Sequence, residues 1–100
     1  MCLDKKAVVR AINLLDRVRH THEDRTVLHD LITDFLRLLT RQVPMPSDFS
    51  ILQMIENNIH GLEQFIRRGR LGMPPIPEST MRNLGLARRF VRMASMDVRS

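Results

Sequence analysis

Tryptophan and tyrosine are absent from this chain, and phenylalanine occurs only four times. Single-stranded nucleic acid is gripped by stacking bases on successive aromatic faces, and there is little here to build such a platform. A lone cysteine, Cys2, excludes an internal disulfide and any zinc site made from cysteines. It also points to a reducing compartment. Four glycines in 100 residues leave tight hairpin turns short of material. No run of about 18 apolar residues exists, so no membrane-spanning helix is expected. The opening MCLDKKAVVRA is charged by Asp4 and holds no unbroken apolar stretch, so no signal peptide is expected. The expected location is cytoplasmic.

What is present is helix-forming. Hydrophobic residues make up 43% of the chain, dominated by leucine, isoleucine, valine and seven methionines. One hundred residues make one domain, read here as residues 1–100. A chain this short buries only about 60–65% of its unfolded surface, so a second copy or a partner would add useful burial. The expected fold is all-α, a small four-helix protein that dimerises: an N-terminal α-hairpin, a third helix, a proline-rich loop and a fourth helix. The helices are placed at about 4–19, 24–42, 48–68 and 79–96, with the loop at 69–78.

Each helix follows from a repeat at helical spacing. Val8, Ala11, Ile12, Leu15 and Val18 mark the first. RHTHEDR then supplies a turn, with Thr21 or Asp24 as cap of the second helix. No glycine or proline forces that break, so one continuous helix is the alternative. In the second helix Val27, Leu28, Leu31, Ile32, Phe35, Leu36, Leu38 and Leu39 cover about half the circumference. A half-circle implies packing on two sides, so this helix is expected at the centre of the bundle or at a dimer seam. Pro44 and Pro46 end it. The third helix carries Ile51, Ile55, Ile59, Leu62 and Ile66, with Leu52 and Phe65 on its flanks and Gly69 as C-cap. Gly69, Gly72, Pro74, Pro75 and Pro77 make the loop a stiff connection. Met81, Leu84, Ala87, Val91 and Ala94 form the inward stripe of the fourth helix, which Gly85 weakens in mid-span.

The net charge of +5 is uneven. Residues 1–50 hold eight basic and seven acidic side chains; residues 51–100 hold eight and four. Arginine outnumbers lysine fourteen to two, the residue suited to bidentate phosphate or carboxylate contacts. Arg67, Arg68, Arg70, Arg82, Arg89 and Arg92 form the expected basic patch, with Arg88 beside them. A basic face is the electrostatic footprint of nucleic-acid binding. The helix lengths and the proline-rich loop do not fit a helix-turn-helix, however.

Metal and nucleophile chemistry find little support. Glu56, His60 and Glu63 share one face of the third helix, and His20, His22 and Glu23 precede the second. The segment LDRVRHTHED, with His60 later, resembles hemerythrin-type domains over about half the chain. Helical carboxylate and imidazole pairs build di-iron bundles, but the repeated histidine–carboxylate pairs of that family are missing. Glu56, His60 and Glu63 lie on the polar flank of their helix, about 80° to 140° from Ile55 at 100° per residue. They are therefore expected to be solvent-exposed, with no metal and no cofactor. No serine elbow or phosphate-cradling glycine loop is present, and no catalytic residue is assigned.

The expected function is non-enzymatic. The chain would act as a small regulator, inhibitor or adaptor that binds another protein through an apolar helical surface. Leu28, Leu31, Ile32, Phe35, Leu36 and Leu39 are the expected partner or dimer interface. The alternative is a nucleic-acid-binding regulator using the arginine patch, in weak contact with phosphates.

Overall fold

A computed structural model describes residues 5–23, 25–41, 49–69 and 76–99, with side chains in the last stretch to residue 96. They form four α-helices: α1 Lys5–Thr21, α2 Thr26–Thr40, α3 Phe49–Arg67 and α4 Glu78–Arg99. The described residues include no strand. The expected caps at Asp4, Asp24, Ser47 and Asp48, and the prolines at 44, 46, 74 and 75, lie outside the described residues.

α1 and α2 are separate helices packed side by side, not one long rod. The turn between them is closed from the α1 side. Thr21 donates its hydroxyl to the Arg17 carbonyl at 2.9 Å, so it finishes α1 and does not cap α2. Arg25 occupies the N-cap of α2 and offers no side-chain cap bond. At the end of α3, Gly69 takes φ +65°, the left-handed conformation that suits glycine, and its N–H reaches the Ile66 carbonyl at 3.0 Å. α4 begins where the Pro77 carbonyl accepts from Thr80 and Met81. Glu78 in that first turn complements the helix dipole.

Each helix touches its two neighbours in the order α1–α2–α3–α4 and back to α1, and no helix crosses to its diagonal partner. Adjacent helices run antiparallel. His22 at the end of α1 meets Thr80 at the start of α4, and Arg10 near the start of α1 lies over Phe90 farther along α4. The result is an up-and-down bundle with one apolar cluster at its axis, a Cα radius of gyration of 13.2 Å and a long dimension of 44 Å.

The closest seams lie on both sides of α4, against α1 and α3. α2 and α3 share the smallest contact of the four neighbouring pairs. α4, not α2, therefore has the closest seams, so α2's wide apolar arc does not place it at the centre of the bundle. On the α1 side small side chains contribute. Ala7 and Ala11 on α1 and Ala87 and Ala94 on α4 are all buried, and small side chains let two helix axes approach. Ala87 and Ala94 lie on the same side of α4 as Phe90, whose ring centroid is 5.5 Å from the Arg10 guanidinium on α1.

One buried and one partly buried polar contact fasten α4 to the rest. His22 Nε2 and Thr80 Oγ1 share a 2.7 Å hydrogen bond, with both residues buried. Arg88 Nε donates to Glu63 Oε1 at 3.0 Å across the α3–α4 seam. Among the described residues no buried side-chain nitrogen or oxygen lacks a partner, the ordinary state of a satisfied core.

Candidate functional site

The six residues expected at a partner or dimer seam are mostly spent on the chain's own core. Leu28, Ile32, Phe35, Leu36 and Leu39 are all 7% exposed or less. Leu31 alone remains open, at 36%. The half-circle of α2 is thus divided. Its centre packs inward, and one flank is left over.

That flank faces a groove. At 100° per residue, Val27, Leu31, Asp34 and Leu38 form a line along α2, displaced about 100° to 160° from the buried Ile32. Met54, Asn58, Gly61 and Phe65 form the matching line on α3. Between them lies a depression of about 390 Å³, floored by Phe35 and Leu62 and walled by Leu31, Leu38 and Phe65. Its polar lining is Asp34, Asn57 and Asn58. Leu31 at 36% and Phe65 at 51% are the exposed apolar residues of its lining, and Val27 at 50% and Met54 at 43% stand exposed farther along the same two helix faces. These are four of the seven large hydrophobic side chains that stand exposed among the described residues. Gly61 sits in this lining, and a Cβ built on it would meet nothing within 4 Å. The chain's own packing gives no reason for glycine there, although glycine costs a helix about 1 kcal/mol relative to alanine.

The arginines partly converge. Arg67, Arg82, Arg88 and Arg89 line one polar groove of about 280 Å³ between the end of α3 and the outer side of α4. Glu63 and Glu78 line it too. Arg88 is held by Glu63, and Arg67 reaches Glu78 at 3.9 Å, so two of the four positive charges meet a carboxylate within the groove. Arg82 and Arg89 are exposed. Arg92 is drawn away to a smaller groove with Gln53, Glu56 and Met96. Arg68 is exposed beyond the end of α3, and Arg70 lies outside the described residues.

The histidines and carboxylates do not gather. Among the described residues no group of three histidine, cysteine, aspartate or glutamate side chains is placed to hold a metal ion. His20 stays on the surface between Asp16 and Glu23, and His60 is exposed on α3. Glu63 departs from its expected place. Its spacing puts it on the polar flank with Glu56 and His60, yet it is only 7% exposed. Its position about 80° from Ile55 lies at the rim where α4 arrives, and Arg88 supplies the charge that makes burial tolerable.

Three features escaped sequence reading: the Glu63–Arg88 pair, buried His22, and the exposure of Phe65 and Met54. The first two depend on which helix lies alongside, which helical periodicity does not encode. The third had a faint signal. Phe65 and Met54 fall off the isoleucine stripe of α3 on the same flank, opposite Glu63.

No helix among the described residues is long and apolar enough to cross a membrane. Comparison of the chain with protein-family models, curated proteins and solved structures gives no match.

Proposed function

We propose that the chain is a non-enzymatic regulatory or adaptor protein that binds another protein through the α2–α3 groove. The observation that carries this reading is the open groove lined by exposed Leu31 and Phe65, with exposed Val27 and Met54 farther along the same two helix faces. Exposed apolar side chains gathered in one place are the usual mark of a binding surface. The occupant that suits two antiparallel walls is an amphipathic helix. Its apolar stripe would cover Leu31, Leu38 and Phe65. Its polar edge would meet Asp34, Asn57 and Asn58 and would be neutral or basic, because Asp34 is the one charge in the lining.

A second copy of the chain is the second reading. Phe65 projects at 51% exposure, and the space above Gly61 is empty beside it. A knob and a hole in one patch can satisfy each other about a two-fold axis. This keeps the homodimer as a proposal while moving its seam from the buried α2 leucines to Leu31 and Phe65. The nucleic-acid reading is weaker, because Glu63 and Glu78 offset two arginines of the groove that would receive phosphate.

The test places a photo-crosslinking amino acid at position 65 in the full chain, with a control at exposed Arg17 on α1. The expected result is an adduct with a different protein, specific to position 65 and suppressed by Leu31→Glu. An adduct of twice the 11.7 kDa chain mass would instead establish the second copy as occupant. Adducts identical from both positions, or none, would overturn the groove as the working surface.

A further inference from the structure

The outer side of α4 carries a stripe distinct from the one that packs inward. Arg82, Leu86, Arg89, Met93 and Met96 follow one another at spacings of four, three, four and three. This is the 3.5-residue repeat by which one helix lies along another. At 100° per residue the five fall within an arc of about 80°, on the side of α4 away from Leu84 and Val91. None belongs to the core. Arg82 and Arg89 are exposed, Leu86 is half-buried, Met93 is 47% exposed and Met96 56%. Arg82 and Arg89 make no ion pair or hydrogen bond among the described residues, whereas their neighbours Arg67 and Arg88 are engaged by Glu78 and Glu63. Gly85 lies beside the stripe, and a Cβ there would meet nothing within 4 Å.

We propose that this face docks an acidic amphipathic helix of a partner protein, at a site separate from the α2–α3 groove. Charge selects the occupant. Arg82 and Arg89 are seven residues apart, about 10.5 Å along the axis at 1.5 Å per residue. A partner α-helix has the same rise, so two of its carboxylates seven residues apart meet both guanidinium groups in register. Bidentate arginine–carboxylate pairing adds direction to that match. Leu86 and Met93 alternate with the arginines and receive apolar side chains, and methionine adapts to an irregular neighbour. A second copy of this chain is the wrong occupant, because it would set arginine against arginine between molecules of net charge +5. A nucleic acid is held by basic side chains that neutralise several phosphates, and Glu63 and Glu78 offset positive charge in the groove alongside.

The test uses the full chain and a synthetic three-heptad peptide. The peptide carries glutamates seven residues apart, flanked at four and three by leucines. A control peptide of the same composition has its glutamates moved to the opposite face. Fluorescence anisotropy at about 0.15 M salt should show the matched peptide binding at least tenfold tighter than the control. Amide shifts should be confined to α4 and the end of α3. R82E/R89E should lose at least tenfold in affinity with an unchanged circular dichroism spectrum, and a lysine version of the peptide should recover binding to that variant. Should the double reversal unfold the chain, R82Q/R89Q is read in its place for the loss of affinity. Equal binding of matched and control peptides would overturn the proposal. So would shifts centred on α2, or tighter binding of a duplex oligonucleotide than of the matched peptide.

Discussion

Between α1 and α4 the chain uses alanine and packs closely; between α2 and α3 it uses leucine and phenylalanine and leaves a groove. Ala7 and Ala11 on α1 and Ala87 and Ala94 on α4 are all buried, while Leu31 and Phe65 stand open beside the second seam. The quantity of apolar surface on a helix therefore does not set how closely that helix packs. Side-chain size at the contact contributes, and so does the number of neighbours available to cover the arc. α2 has the widest apolar arc and one close neighbour, α1. What α1 and the bundle axis do not cover is left for the α3 side, where the seam is loose.

This difference can be broken by truncation. Leu84→Ala, in the fully buried centre of α4, is expected to cost about 2–5 kcal/mol. That is a large share of the roughly 5–15 kcal/mol typical of a domain's total stability. Leu31→Ala, at a site 36% exposed, should cost under about 1 kcal/mol, near the range of surface substitutions. Urea denaturation of both variants measures the contrast. Equal losses would mean that α2 and α3 are as tightly joined as α4 and its neighbours.

A smaller effect sharpens the role of α4 as the hub. Glu63→Ala removes the partner of Arg88, whose side chain is 25% exposed. The expected loss is about 2–3 kcal/mol, below the figure for a fully buried pair because solvent reaches the arginine. Adding Arg88→Ala in the same chain should cost less than the sum of the two single changes. A double-mutant cycle reads that coupling. An additive cycle would show that the pair contributes no interaction of its own.

The smallest expected effect has the opposite sign. Gly85→Ala should raise stability by about 0.5–1 kcal/mol, since alanine suits a helix better and the added methyl meets no neighbour within 4 Å. A thermal melt should rise by about 4–8 °C per kcal/mol for a domain of this size. A fall in the melting temperature would mean that the outer side of α4 is more crowded than the geometry shows.

Much of this architecture is legible along the chain. The stripe Met81, Leu84, Ala87, Val91 and Ala94 reads inward and is buried throughout. Gly69 ends α3 for the reason its lack of a Cβ suggests. Periodicity gives the direction in which a helix buries its face, but not which neighbour covers it. Glu63 read as polar surface because its partner lies on another helix, 25 residues away. His22 read as one of several histidines in a polar turn, and its burial depends on Thr80, 58 residues along. The apolar character of the six α2 residues is plain in the sequence, but their split into core and flank appears only once α1 and α3 are in place. Of the candidate surface, Leu31 is legible in the sequence and Phe65 faintly so, while Gly61 comes from the fold.

The groove offers the most direct measurement. Gly61→Leu places a branched side chain in space the chain leaves empty, at a helical position that favours leucine over glycine. The fold should remain intact by circular dichroism. The protein captured from position 65, titrated against the purified variant by calorimetry, should bind at least tenfold more weakly than to the unaltered chain. A folded Gly61→Leu chain that binds that protein with unchanged affinity would contradict the groove as the docking surface.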